Sequence, residues 1–200
     1  RTRETADLFM TLFIHLLKKG GRAAVVLPDG FLFGEGMKTR LKEKLLSECN
    51  LHTIVRLPNG VFNPYTGIKT NLLFFTKGQP TETVWFYEHP YPEGYKNYSK
   101  TKPMRFEEFG PEIEWWGSEG NGFASRVETE QAWKVSIEEI RERDYNLDIK
   151  NPWQEEEEVH DPDELLAKYE QQRAEIQEIR DQIRTILDDA LSARSQEDEA

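Results

Sequence analysis

The sequence predicts an α/β fold. Parallel strands joined by a helix are finished by an antiparallel hairpin strand, and an irregular extension and a long heptad helix follow. Three observations carry this. Residues 23–27 (AAVVL) and 51–57 (LHTIVRL) are short apolar runs with a helix-periodic stretch between them, the pattern of a strand–helix–strand unit. Residues 71–76 (NLLFFT) form a third run only a loop beyond the second, too close for another crossover helix. From Leu165 onward, apolar residues recur at alternating spacings of four and three.

The elements follow in order. Over residues 5–19, Leu8, Phe9, Leu12, Phe13, Leu16 and Leu17 form one wide helical stripe, with Lys18 and Lys19 in the last turn and Gly20-Gly21 to stop it. Residues 23–27 lack polar alternation, as expected of a strand covered on both faces, and Pro28-Asp29-Gly30 ends it. Met37, Leu41 and Leu45 recur every four residues on a second helix that stops near Asn50. The β-branched run 51–57 is the second strand, and the order implies a right-handed parallel crossover. Pro58, Gly60, Pro64 and Gly67 then mark a loop. Leu72-Leu73-Phe74-Phe75 is read as a central strand running antiparallel to its predecessor, so the expected sheet is mostly parallel with one antiparallel strand next to its end. Residues 83–88 and 132–135 suit further strands and residues 136–143 a short helix. Residues 89–122, rich in Tyr, Pro, Gly and Trp, read as an ordered, aromatic-packed extension, and NLDIKNP at 146–152 as a turn closing the globular part.

The net charge of −11 is unevenly spread. Residues 1–150 carry 21 basic and 21 acidic side chains, whereas residues 151–200 carry 5 and 16. The first 77 residues hold 12 basic against 6 acidic, so only the front of the chain suits a phosphate surface, with solubility as the plainer alternative. The single Cys49 excludes an internal disulfide and fits a reducing cytoplasm. The longest apolar stretch, residues 9–17, contains His15 and is too short to span a bilayer. No signal peptide is visible, and the chain opens on Arg1 rather than Met, so an upstream portion is expected.

Few residues offer chemistry. His15, His52, His89 and His160 are scattered, and Cys49 with His52 makes two ligands and no set of four, so no metal is expected. There is no nucleophile elbow and no phosphate loop. Glu107-Glu108 reads as a solvated pair. Trp115-Trp116 reads as packing, with a stacking platform for single strands as the alternative. The loop after residue 57 is more specific. Phe62 stands near the sheet edge beside Gly60 and Gly67, and Lys69-Thr70 enters the next strand with a positive charge. An aromatic face and a donor are what a base extruded from a duplex requires. The ordinary alternative is a packed phenylalanine and a solvated lysine.

Taken together, GRAAVVLPDGFLF at 21–33 and IVRLPNGVFNPYTGIKTNLLFFTKG at 54–78 resemble the second half of a methyltransferase domain that modifies adenine in DNA. More narrowly, they resemble the modification subunit of type I restriction-modification systems. Leu57, Pro58, Gly60, Val61, Phe62, Thr66, Gly67, Lys69 and Thr70 match the family pattern in order and spacing. The resemblance covers residues 1–88 closely and continues more loosely through NLDIKNP to the terminal helix. It implies the C-terminal half of a Rossmann-like class I methyltransferase sheet. It further implies that the intact protein transfers methyl from S-adenosylmethionine to N6 of a flipped adenine. Phe62 would stack on that base and Lys69 contact it, with Gly60, Gly67 and Thr70 in support.

Two family elements are missing. The glycine-rich turn that holds the cofactor has no counterpart, since Gly34-Glu35-Gly36 follows no suitable opening strand. The catalytic N-P-P-[FY] element is also absent and is expected upstream of Arg1. Asn151-Pro152-Trp153 and Asn63-Pro64-Tyr65 have one proline each where two are needed. This fragment alone is therefore expected neither to bind cofactor nor to methylate DNA.

The organisation so read is a methyltransferase half at 1–88, an aromatic-rich extension at 89–153, an acidic linker at 154–161, a heptad helix at 162–195 and an acidic tail at 196–200. Leu165, Tyr169, Ile176, Ile179, Ile183 and Ile186 form a narrow apolar seam interrupted by Gln172, and such a seam needs a partner. The resemblance implies a specificity subunit that reads the DNA sequence, a restriction subunit and double-stranded DNA, with no membrane. Self-association and folding back on residues 80–150 are alternatives. Two other readings stay open. One is a non-catalytic assembly module whose helix docks a partner, and the other is a methyltransferase acting with a nuclease outside type I.

Overall fold

A computed structural model describes residues 4–154 and 162–197. The chain divides into two units, 1–154 and 155–200. The first contains strands β1 (Arg22–Pro28), β2 (Cys49–Arg56), β3 (Thr70–Lys77), β4 (Thr83–Glu88) and β5 (Ala132–Ser136). Its helices are α1 (Thr5–Leu16), α2 (Gly30–Phe33), α3 (Met37–Glu48), α4 (Gly110–Trp115) and α5 (Ile137–Glu142). The second unit contains α6 (Pro162–Glu197).

The five strands form one sheet in the order β1-β3-β2-β4-β5. As expected, β3 is central and antiparallel to β2. It is antiparallel to β1 as well, so it separates two strands that run the same way but do not touch. Among neighbours only β2 and β4 are parallel, and β5 returns antiparallel to β4. The expectation of a mostly parallel sheet is thus corrected to a mixed one. The hairpin through residues 57–69 places β3 on the edge of β2 that β1 would otherwise use.

One face of the sheet is covered by α1, α3 and α5, burying Met10, Ile14, Leu45, Ile54, Leu73, Phe75 and Phe86. The opposite face is covered by the extension. There Val55, Leu57 and Tyr87 pack with Phe74, Met104, Phe109, Trp115 and Trp116. Alternation along the pleat explains the division, since Leu73 and Phe75 point one way and Leu72 and Phe74 the other.

Two expectations about α1 and β1 are corrected. Helix α1 stops at Leu16, where the Leu17 N–H donates to the Phe13 carbonyl, so Lys18 and Lys19 fall beyond its last turn. Its buried residues are Asp7, Met10 and Ile14, while Leu8, Phe9, Leu12 and Leu16 are exposed. The helix is apolar on more than one side, and α3 and the sheet cover only one of them. Strand β1 is likewise open on part of its surface, with Val26 half exposed. It is an edge strand in this chain, and the extension does not reach across it.

Local devices fix the connections. The buried Lys42 ammonium donates to the carbonyls of Leu32 (2.6 Å) and Gly34 (3.0 Å), tying α3 to the end of α2. Burial pushes its pKa down to about 8, which leaves it charged at neutral pH. Helix α5 starts at Ser136, whose hydroxyl accepts from the Glu139 N–H at 3.2 Å.

In α6, Tyr169, Ile176, Ile179, Ile183 and Ile186 are exposed. The Leu165 side chain and the acidic linker at 155–161 lie outside what is described. The single chain shows the helix and not the coiled-coil pairing expected of it. Among the described residues no helix is long and apolar enough to cross a membrane.

Candidate functional site

Strands β1, β2 and β4 end on the same edge of the sheet, and β3 begins there. In open α/β sheets this carboxyl edge is where ligands bind. A cleft of about 630 Å³ opens on it, lined among others by Asp29, Arg56, Lys69, Asn71, His89 and Trp153.

The loop between β2 and β3 borders this edge. Its Gly60 has φ +80, and a Cβ there would lie 2.8 Å from the Tyr98 carbonyl and closer still to the Asn97 and Asn63 side chains. A side chain at this position is excluded by both conformation and space. The loop then folds into a turn in which the Phe62 carbonyl accepts from the N–H groups of Tyr65 (2.9 Å) and Thr66 (3.2 Å). Asn63 donates to the Tyr98 carbonyl at 2.9 Å and so anchors the turn to the extension. Phe62 is 39% exposed, and Lys69 is exposed. Lys69 lines the cleft, whereas Phe62 stands outside its walls. Thr70 is buried and its carbonyl accepts from the Leu57 N–H at 3.0 Å, closing the base of the hairpin. A Cβ on Gly67 would meet open space, so this glycine answers no steric demand.

The cleft floor is a network that the sequence reading did not nominate. Arg56 donates through Nη2 to Asp148 (2.7 Å) and Asp29 (3.4 Å), and through Nη1 to the Ile149 carbonyl (3.0 Å). Asn71 Nδ2 donates to the same Asp29 oxygen at 2.9 Å. Asn151 donates to the Glu130 carbonyl (2.7 Å) and to Glu88 (3.2 Å). It therefore braces the cleft wall, although in sequence it opened a superficial N-P-W match. Beside them His89 Nδ1 is hydrogen-bonded to Glu112, both buried, and among the described residues His89 Nε2 has no hydrogen-bond partner. Asp29 and Asp148 each sit inside a quoted motif, PDG and NLDIKNP, and that was the available signal.

On the extension-covered face a second cluster forms. Arg126 is 6% exposed and lies 3.8 Å from the centre of the Phe123 ring and 4.4 Å from that of Trp115. It donates to the Trp116 carbonyl (2.8 Å), the Thr53 hydroxyl (2.9 Å) and the His52 carbonyl (3.3 Å). Burial pushes its pKa down to about 10, so it stays cationic. Burial likewise lowers the His52 pKa to about 4, with Arg126 adding to the effect, so His52 is neutral at pH 7. Trp115 and Trp116 here are packing residues, the former against Trp85 and the latter against Phe74. Glu108 is likewise structural, accepting from the Arg105 N–H (2.8 Å) and from Tyr98.

The Gly34-Glu35-Gly36 segment does not fit a methyl-donor site. Gly34 follows α2 rather than a strand, and the place a ligand would need beside it is filled by the Lys38 side chain and the Gly30 carbonyl. Among the described residues no group of three or more His, Cys, Asp or Glu could hold a metal ion.

Comparison with known proteins gives a consistent result. A model of the N-6 DNA methylase family matches residues 1–161. The chain is 70% identical over 192 residues to the methylase subunit of the type I restriction enzyme EcoEI from Escherichia coli, covering 96% of this chain and 39% of that relative. Among solved structures, the EcoKI M protein superposes with a TM-score of 0.65 at 33% identity, over 74% of this chain and 37% of that one. A chain from a study of type I R-M complex assembly and conformational transition gives 0.73 at 34%, over 94% and 40%. The chain therefore spans about two fifths of the length of the relatives it matches.

Proposed function

This chain belongs to the N-6 DNA methylase family, and on that premise we propose that it is the base-holding part of a DNA adenine-N6 methyltransferase in a type I restriction-modification complex. The observation that carries this reading is the loop between β2 and β3. It stands at the carboxyl edge of the sheet, bears an exposed Phe62 and delivers Lys69 to the cleft. Phe62 offers the extruded adenine a π-face and Lys69 a donor, with Gly60 and Thr70 forming the frame.

S-adenosylmethionine supplies the methyl group in the intact enzyme. Its site and the N-P-P-[FY] element belong to the rest of that enzyme, so the chain alone neither holds cofactor nor methylates DNA. The open apolar face of Leu8, Phe9, Leu12 and Leu16 on α1 suits burial against that remaining part.

Helix α6 is the assembly element in this reading. Its exposed Tyr169, Ile176, Ile179, Ile183 and Ile186, with Leu165 at the head of the row, dock a specificity subunit in a coiled-coil arrangement, and a restriction subunit joins that complex on double-stranded DNA. The same residues support a second reading, a non-catalytic assembly module in which the helix is the whole function.

One experiment separates the two. In the intact enzyme assembled with its specificity subunit, Phe62→Ala is expected to weaken capture of the target adenine by about 1–3 kcal/mol, read as DNA affinity and methylation rate. Deleting residues 162–200 is expected to abolish subunit assembly. Unchanged DNA affinity and methylation in Phe62→Ala, with assembly lost in the deletion, would leave the assembly module as the better account.

A further inference from the structure

The geometry points to Asp29, Asn71, Arg56 and Asp148 as a positioning lattice that fixes the backbone of Lys69 at the cleft. The inference rests on the proposed role of Lys69. Among the described residues, the Lys69 ammonium has no hydrogen bond or ion pair, so nothing on its own stem orients it. Orientation has to come from the main chain, and there the Lys69 carbonyl accepts from the Asp29 N–H at 3.0 Å.

Asp29 is itself held from two sides. Its Oδ1 accepts from Asn71 at 2.9 Å and from Arg56 at 3.4 Å. Asn71 follows Thr70 at the head of a strand that continues Leu, Leu, Phe and Phe, and it is 1% exposed. A β-branched aliphatic residue would suit a central strand better, so the amide at this position is explained by its reach to Asp29. Arg56 then carries the restraint onward. The planar guanidinium spends its fork on Asp148 at 2.7 Å and on the Ile149 carbonyl at 3.0 Å. Asp148 is fixed in turn, because its N–H donates to the Asn146 side chain at 2.8 Å. Four segments remote in sequence therefore converge behind one lysine.

The charge balance serves the same end. One guanidinium faces two carboxylates, which leaves the cleft wall with an excess negative charge. That excess favours holding the Lys69 ammonium toward the cleft rather than toward bulk water.

The test is a double-substitution cycle in the intact methyltransferase with its specificity subunit. Initial rates are measured with labelled S-adenosylmethionine on unmethylated genomic DNA. Asp29→Asn keeps the acceptor for Asn71 but removes the charge. It is expected to lower kcat/KM for DNA about 10-fold, short of the roughly 100-fold that a full 1 Å misplacement can cost, with KM for the methyl donor unchanged. Lys69→Ala is expected to cost at least as much, and the double variant no more than Lys69→Ala alone. Asp148→Asn, further out on the lattice, is carried through the same cycle in case Asp29→Asn fails to fold. Losses that multiply in the double variants, or full activity in both aspartate variants, would overturn the lattice while leaving the role of Lys69 intact. Full activity of Lys69→Ala would overturn the reading of Lys69 and the lattice with it.

Discussion

Arg56 and Arg126 meet the same strand a few residues apart, and the fold handles their charges in opposite ways. Arg56 sits on the carboxyl edge with two carboxylates and a carbonyl around it, its side chain 15% exposed. Arg126 sits on the extension-covered face with three aromatic rings and, among the described residues, no paired carboxylate, its charge answered by carbonyls, a hydroxyl and π-faces. Ion pairs at the edge are directional and partly hydrated, so they set angles between segments more than they add stability. The hydrogen bonds and ring faces around Arg126 are dry and lie away from the cleft, so they add cohesion without setting the geometry of that site. The difference assigns a task to each region. The edge positions, and the extension holds.

Three substitutions or conditions break or sharpen that contrast. The largest effect is expected from Arg126→Leu, which leaves the carbonyls of Trp116 and His52 and the Thr53 hydroxyl without their buried donor. A loss of about 4 kcal/mol in urea unfolding is expected from those unmade hydrogen bonds and the lost ring contacts. A loss below about 1 kcal/mol would mean that the rings hold together without the cation.

Next is acid. His52 takes up a proton near pH 6.5 when unfolded but only near pH 4 when folded, because burial opposes its charge. Between these values the unfolded chain binds more protons, so stability falls as pH falls through that window. The expected loss reaches about 3 kcal/mol at pH 4. Comparing denaturation at pH 7 and pH 4.5 for the native chain and His52→Gln checks it, since the substituted chain should lose less.

The smallest stability effect belongs to the edge. Arg56→Lys keeps the charge but not the fork, and should cost about 1 kcal/mol in unfolding because the pairs are partly solvated. If the edge positions rather than holds, methylation by the intact enzyme falls further than this stability loss explains. Equal retention of activity and stability would erase the distinction between the two arginines.

The loop that carries Phe62 and Lys69 was legible because the information that marks it is local. Glycines and prolines at fixed offsets announce the loop, and an unbroken apolar run announces the strand it leads into. Their supports were not legible. Arg56 and Asp148 are 92 residues apart, and Asn71 and Asp29 are 42 apart. Each alone reads as an ordinary polar residue near a turn. Arg126 gave no signal at all, since a lone basic residue in an irregular stretch is almost always solvated.

The sequence by itself determined the five strands of the sheet, helices α1, α3, α5 and α6, the antiparallel return of β3 and the apolar row of α6. Those follow from periodicity and turn chemistry within a few residues, which the backbone obeys wherever the segment is packed. Only the tertiary structure decided that β3 enters between β1 and β2, and that α1 buries Met10 and Ile14 while Leu8, Phe9 and Leu12 stay open. It also decided that Arg56 is paired with carboxylates at the edge and the buried Arg126 caged by rings. Those outcomes depend on which distant surface arrives to exclude water from a given side, and an apolar or charged side chain has the same local sequence whichever surface that is.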